Sequence, residues 1–171
     1  SGQIIVIKPD TGRVLAVANF PSFDLNQYSK EKNFEIFQNS AVQKLFEPGS
    51  IMKPFTMAIS LNEGKISPST TFTDKGFIKI GPDIIWNFGH TSYGSQTMTN
   101  VLEKSINTGA VFVSQQVSHE TYLDYMDKFG FFEKTGIDLQ GEVSSRNEGL
   151  KTGSDMQFAT AAFGQGVDLT P

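Results

Sequence analysis

Between Ser50 and Asn62 the stretch SIMKPFTMAISLN reads as a single helix. Its apolar residues Ile51, Met52, Phe55, Met57, Ile59 and Leu61 lie nearly all around the axis. A helix of that pattern is buried on most sides, so the remainder of the chain must pack around it. Pro48-Gly49 leads into it and Gly64 ends it. The chain can supply such a core: it has 171 residues, 38% of them hydrophobic and fifteen of them phenylalanine, with 19% charged. That length suits one domain, and the composition is that of a folded protein.

The other elements are shorter. Gln3–Ile7 and Val14–Ala18 are apolar runs separated by KPDTG, which carries Pro, Asp and Gly in turn order, and together they predict a β-hairpin. Residues 20–43 are polar and irregular. Residues 65–94 hold Gly, Pro and short β-like runs such as GFIKI. Helices are expected over Thr99–Ser105, Gly109–Val117, Tyr122–Phe129 and Met156–Phe163. The reading is one domain over 1–171, with 1–19 as strands and 20–171 mostly helical. A lone two-stranded hairpin is marginal, so further strands are expected beside it from outside this sequence. The opening SGQIIVI and the closing GVDLTP read as cut ends.

The net charge of −4 gives no basic field for nucleic acid. Absence of cysteine excludes disulfides and thiolate chemistry without fixing a compartment. His90 and His119 stand at no metal-ligand spacing with an acid and read as ordinary residues, so neither metal nor cofactor is expected. No apolar run approaches the ~20 residues of a membrane span.

The chemistry sits in FEPGSIMKPF, Phe46–Phe55. Residues three apart on a helix lie on nearly the same face, so Ser50 and Lys53 can touch. A serine hydroxyl needs a base to become a nucleophile. A lysine becomes that base when burial disfavours its ammonium. The Ser50 N–H, at the start of a helix, can donate to a developing oxyanion. Pro54 cannot donate to a carbonyl one turn back, which loosens the first turn. Together these features describe a serine activated for acyl transfer. The other S-x-x-K, Ser29 to Lys32, lies in a polar stretch with nothing to desolvate its lysine.

FEPGSIMKPFT resembles the active-site serine motif of penicillin-binding protein transpeptidases, especially the monofunctional class B type. The resemblance extends over nearly the whole chain. IIVIKPDTGRVLAVANFPSFDLN resembles the opening strand-turn-strand and NSAVQKLFEPGS the approach to the serine. LEKSINTGAVFVSQQV resembles the second motif, S-x-N. FGFFEKTGIDLQGE and FGQGVDLTP resemble two segments between the second and third motifs. S-x-N occurs at Ser60, Ser105 and Ser145, but only Ser105–Asn107 falls at a break between two apolar helical runs. Outside this context SIN would read as a capping turn. The resemblance implies that Ser105 relays a proton between Lys53 and the leaving amine, and that Asn107 holds the substrate backbone and helps orient Lys53. The third motif, K-[ST]-G, has two copies, Lys134–Gly136 and Lys151–Gly153. The first lies within EKTGIDLQGE, a separate segment of the resemblance, and the second lacks the alternating surroundings of a strand; in the family the third motif also follows the FGQG segment. The true third motif is therefore expected beyond residue 171.

The implied fold is α+β: a partial penicillin-binding protein/β-lactamase-like transpeptidase fold, with an N-terminal β-hairpin, a helical subdomain and the inner strands of the antiparallel sheet missing. The implied activity is peptidoglycan D,D-transpeptidation through a serine acyl-enzyme, impaired in this chain alone. The implied partners are a stem peptide ending in D-Ala-D-Ala and β-lactams, and no nucleic acid. The parent is expected at the extracytoplasmic face of the bacterial cytoplasmic membrane, anchored there with cell-wall synthesis partners. A β-lactam sensor domain and a serine β-lactamase are the alternatives. The sequence shows no E-x-x-L-N stretch of the kind one β-lactamase class uses.

Overall fold

A computed structural model describes residues 2–145 and 147–171. Strands β1 (Gly2–Lys8) and β2 (Arg13–Phe20) form the expected hairpin, with Ile5 opposite Val17 and a register shift between Val6 and Ile7. Gly12, at φ 67°, closes the turn through its N–H to the Lys8 carbonyl at 2.9 Å. The hairpin leans on α1 (Ser40–Gln43), where the Ser40 hydroxyl lies 2.7 Å from Gln3 Oε1 and 2.6 Å from Asn19 Oδ1. Ile4, Val6, Ile7, Leu15 and Phe20 of the hairpin remain exposed.

A tight 3-10 turn, Gly49–Met52, runs into α2 (Lys53–Asn62). Four short strands follow: β3 (Thr71–Asp74), β4 (Phe77–Ile80), β5 (Asp83–Trp86) and β6 (Gly94–Thr97). They form two separate antiparallel pairs, β3 with β6 and β4 with β5. The remaining helices are α3 (Met98–Glu103), α4 (Asn107–Ser114), α5 (His119–Lys128), α6 (Glu148–Lys151) and α7 (Asp155–Ala161). The part after the hairpin thus mixes helices with four strands that are each four residues long.

Helices α2 and α4 occupy the middle. Met52 and Ile59 pack with Tyr122, Met126, Leu150 and Phe158, while Met57 packs with Met98, Val101, Ile106 and Val113. Ala110 and Val111 of α4 face Ile80, Ile85 and Ala159. The helix is not buried on most sides. Ile51 and Leu61 are exposed, as are Pro54 and Ala58, and the buried face carries Lys53, Thr56, Met57, Ile59 and Ser60. The two hydroxyls of that face bond to backbone: Thr56 Oγ1 donates to the Ala162 carbonyl at 2.9 Å, and Ser60 Oγ to the Val113 carbonyl at 2.8 Å. Hydroxyls bonded to neighbouring helices bury as readily as methyl groups, so apolar count alone misplaced the buried face.

Candidate active site

Pro54 sets the backbone that joins Ser50 to Lys53. In an α-helix the Ser50 carbonyl would accept from the N–H four residues on, and that residue is proline, which has none. The carbonyl instead accepts from the Lys53 N–H, three residues on, and the backbone tightens into the 3-10 turn. A 3-10 turn eclipses side chains three apart, and Lys53 Nζ lies 3.1 Å from Ser50 Oγ. Ser50 is exposed, whereas Lys53 is 2% exposed.

Lys53 Nζ has three further partners: the Ser105 carbonyl at 2.6 Å, Ser105 Oγ at 2.9 Å and Asn107 Oδ1 at 2.8 Å. All four are neutral. Burial without a carboxylate to offset it lowers the Lys53 pKa to about 8. The two carbonyl-type oxygens can only accept, so they take two N–H bonds. The third direction on the nitrogen faces the two hydroxyls. In the neutral amine that direction is the lone pair.

Ser105 presents both of its oxygens to Lys53 by adopting a left-handed backbone, φ 54°, an uncommon state for a residue with a side chain. Ile106 is fully buried beside it and precedes α4. Asn107 opens α4, and its Nδ2 donates to the Trp86 carbonyl at 3.2 Å. That bond fixes which end of the amide faces Lys53.

Behind the serine, the last residues of the chain run antiparallel to its approach. Phe46 and Leu169 exchange backbone hydrogen bonds of 2.8 and 2.9 Å. Glu47 Oε1 accepts from the Gly166 N–H at 2.8 Å, and the Gly49 N–H donates to the Gly164 carbonyl at 2.9 Å. Gly164 has φ 80°, and a Cβ there would overlap the Gly49 backbone.

The family model described as penicillin binding protein transpeptidase domain matches residues 2–171. The chain belongs to that family. It is 33% identical over 168 residues to the stage V sporulation protein D of Bacillus subtilis, covering 98% of this chain and 26% of the relative. It is 34% identical over 181 residues to a peptidoglycan D,D-transpeptidase FtsI homolog of Mesostigma viride, covering 99% of this chain and 30% of that one. Among solved structures, the transpeptidase domain of Burkholderia pseudomallei penicillin-binding protein 3 superposes with a TM-score of 0.82 at 25% identity. That match covers 97% of this chain and 45% of the other. The chain therefore spans about a quarter to a third of the length of these two curated relatives. The fold is a partial α+β transpeptidase fold, as the motif order implied.

Within this chain the other motif copies fall elsewhere. Ser29 and Lys32 do not meet a buried environment: both are exposed in a polar loop. Ser60 bonds the α4 backbone, and Asn62 reaches the Tyr125 hydroxyl. Ser145 Oγ donates to the Phe131 carbonyl at 2.8 Å, and residue 146 of that triplet lies outside the described residues. Thr135 and Gly136 of the first K-T-G donate to the Glu142 carboxylate in a loop. The Thr135 bonds hold that carboxyl below the ordinary glutamate range. Lys151 of the second ends α6. Neither copy lies in a strand. No helix of the described residues is long and apolar enough to cross a membrane. Sequence reasoning passed over Trp86, Asn87, Glu47 and Gly164. The one available signal was Gly164 in FGQG, a glycine pair just after an apolar helix.

Proposed function

We propose that the protein carrying this chain is a penicillin-binding D,D-transpeptidase, with Ser50, Lys53 and Ser105 as its catalytic residues and Asn107 as a substrate-binding residue. Residues 1–171 form one fragment of the transpeptidase domain, with 1–19 as the opening strands of its sheet. The observation that carries the reading is the buried Lys53 amine, held between Ser50 Oγ and Ser105 Oγ by neutral partners only.

In this reading neutral Lys53 takes the Ser50 proton as Oγ bonds to the carbonyl carbon of the penultimate D-Ala. The Ser50 N–H, at the start of its turn, faces the oxyanion. The bond to the terminal D-Ala nitrogen then breaks, and the departing amine receives the proton from Lys53 through the Ser105 hydroxyl. An amine of a neighbouring stem peptide attacks the acyl ester, returning its proton by the reverse path. A β-lactam enters the first step through its own amide carbonyl. The whole protein acts at the extracytoplasmic face of the bacterial cytoplasmic membrane, where peptidoglycan is cross-linked.

The test is fluorescent penicillin on the full-length protein, with Ser50→Ala as control. A stable label that requires Ser50 is expected. Rapid release of the label points to a β-lactamase, and no Ser50-dependent label overturns acyl transfer.

A further inference from the structure

We propose that Asp74 is a positioning residue for Asn107. The inference rests on the transpeptidase reading but concerns a part of the molecule remote in sequence from the motifs. Asp74 ends β3 and is 2% exposed. A buried carboxylate is costly unless its lone pairs are filled, and here they are filled by neutral donors. Oδ1 accepts from Thr108 Oγ1 at 2.7 Å and the Gly76 N–H at 2.8 Å. Oδ2 accepts from Asn87 Nδ2 and the Tyr93 N–H, both at 2.8 Å. Four bonds use the full accepting capacity of the group.

Two of these donors bracket the site. Thr108 follows Asn107 in α4, and Asn87 follows Trp86 at the end of β5. Asn87 Oδ1 also accepts from the Thr108 N–H at 3.0 Å. Thr108 is thus tied at both its side chain and its backbone to one carboxylate-centred cluster. The same cluster holds the segment whose Trp86 carbonyl accepts from Asn107 Nδ2. If that segment or the first turn of α4 shifted, the Asn107 amide would lose the bond that orients it. Turned over, it would present an N–H to Lys53 Nζ in place of the oxygen that now lies at 2.8 Å. Satisfied buried polar networks specify one arrangement, and this one specifies the amide orientation that leaves the Lys53 lone pair for the hydroxyls.

Asp74→Asn keeps the shape and replaces an acceptor with a donor facing donors. In the full-length protein it slows the first-order acylation step by penicillin about tenfold to a hundredfold, the cost of a small misplacement, while the binding constant changes little. Because Asp74 acts through Asn107, adding Asp74→Asn to Asn107→Ala produces no further loss. An additive loss, or an unchanged acylation step in folded Asp74→Asn, overturns the proposal. If Asp74→Asn does not fold, Thr108→Ser and Thr108→Val decide. The serine keeps the hydroxyl and the rate, the valine loses both, and equal rates overturn it. Wild-type labelling, run alongside, separates failure here from failure of the transpeptidase reading. Should wild type take no label, hydrogen exchange at the Thr108 N–H decides instead: faster exchange in Asp74→Asn supports the positioning role and unchanged exchange overturns it.

Discussion

Lys53 and Ser105 carry opposite kinds of cost. The Lys53 amine is buried among neutral groups, and burial lowers its pKa from 10.5 to about 8. On the proposed reading the base acts only when neutral, so acylation by penicillin is expected to rise with pH below about 8 and to level off above it. Stability follows the same group. Between about pH 8 and 10.5 the unfolded chain holds a proton on this lysine that the folded chain has released, so stability rises with pH across that window. Thermal melts of wild type and Lys53→Met across that window isolate this contribution: the upward slope it gives wild type is absent from the variant. At Ser105 the cost is conformational, a left-handed backbone worth about 1 kcal/mol or more in a residue with a Cβ. Ser105→Gly removes the strain along with the hydroxyl. It is expected to melt at or above the wild-type temperature, to be more stable than Ser105→Ala, and to acylate about a hundredfold more slowly.

The 3-10 turn that joins Ser50 to Lys53 is a local device, and its cause is local too. In Pro54→Ala the Ser50 carbonyl regains a donor four residues on, and the turn relaxes toward α geometry. Thermal stability stays within about 1 kcal/mol of wild type, and acylation falls about tenfold as the two side chains rotate out of line. This part of the site was legible in the sequence because Ser50, Lys53 and Pro54 are near neighbours, and Pro54 sets the pattern by what it lacks. The hairpin was legible for the same reason, through Pro9, Asp10 and Gly12. Strands β3 and β6 were not: such short strands give too little alternation, and their pairing joins segments far apart in the chain. Ser105 and Asn107 came from family resemblance, since a short S-x-N has several copies and only folding brings one of them to Lys53. Asp74, Asn87 and Trp86 stayed hidden because their relation to Asn107 exists only in three dimensions.

For the molecule as a whole, the decisive contact joins its two distant halves. Gly164 and Gly49 approach so closely that no side chain fits at position 164. Gly164→Ala combines that overlap with a left-handed backbone, and is expected to cost about 2–3 kcal/mol or more. Urea unfolding measures the loss, and Ser50-dependent labelling of the fraction that stays folded falls as the turn before the serine is displaced. The same contact has a consequence in time. Gly166 lies 119 residues after Glu47, whose carboxylate it engages. A chain that emerges from a ribosome or a membrane pore in the order of its sequence therefore shows its serine long before the segment that braces it. Until that segment arrives, the turn that carries Ser50 lacks its hydrogen bonds to Gly164 and Gly166. The site is assembled from its front and finished from behind.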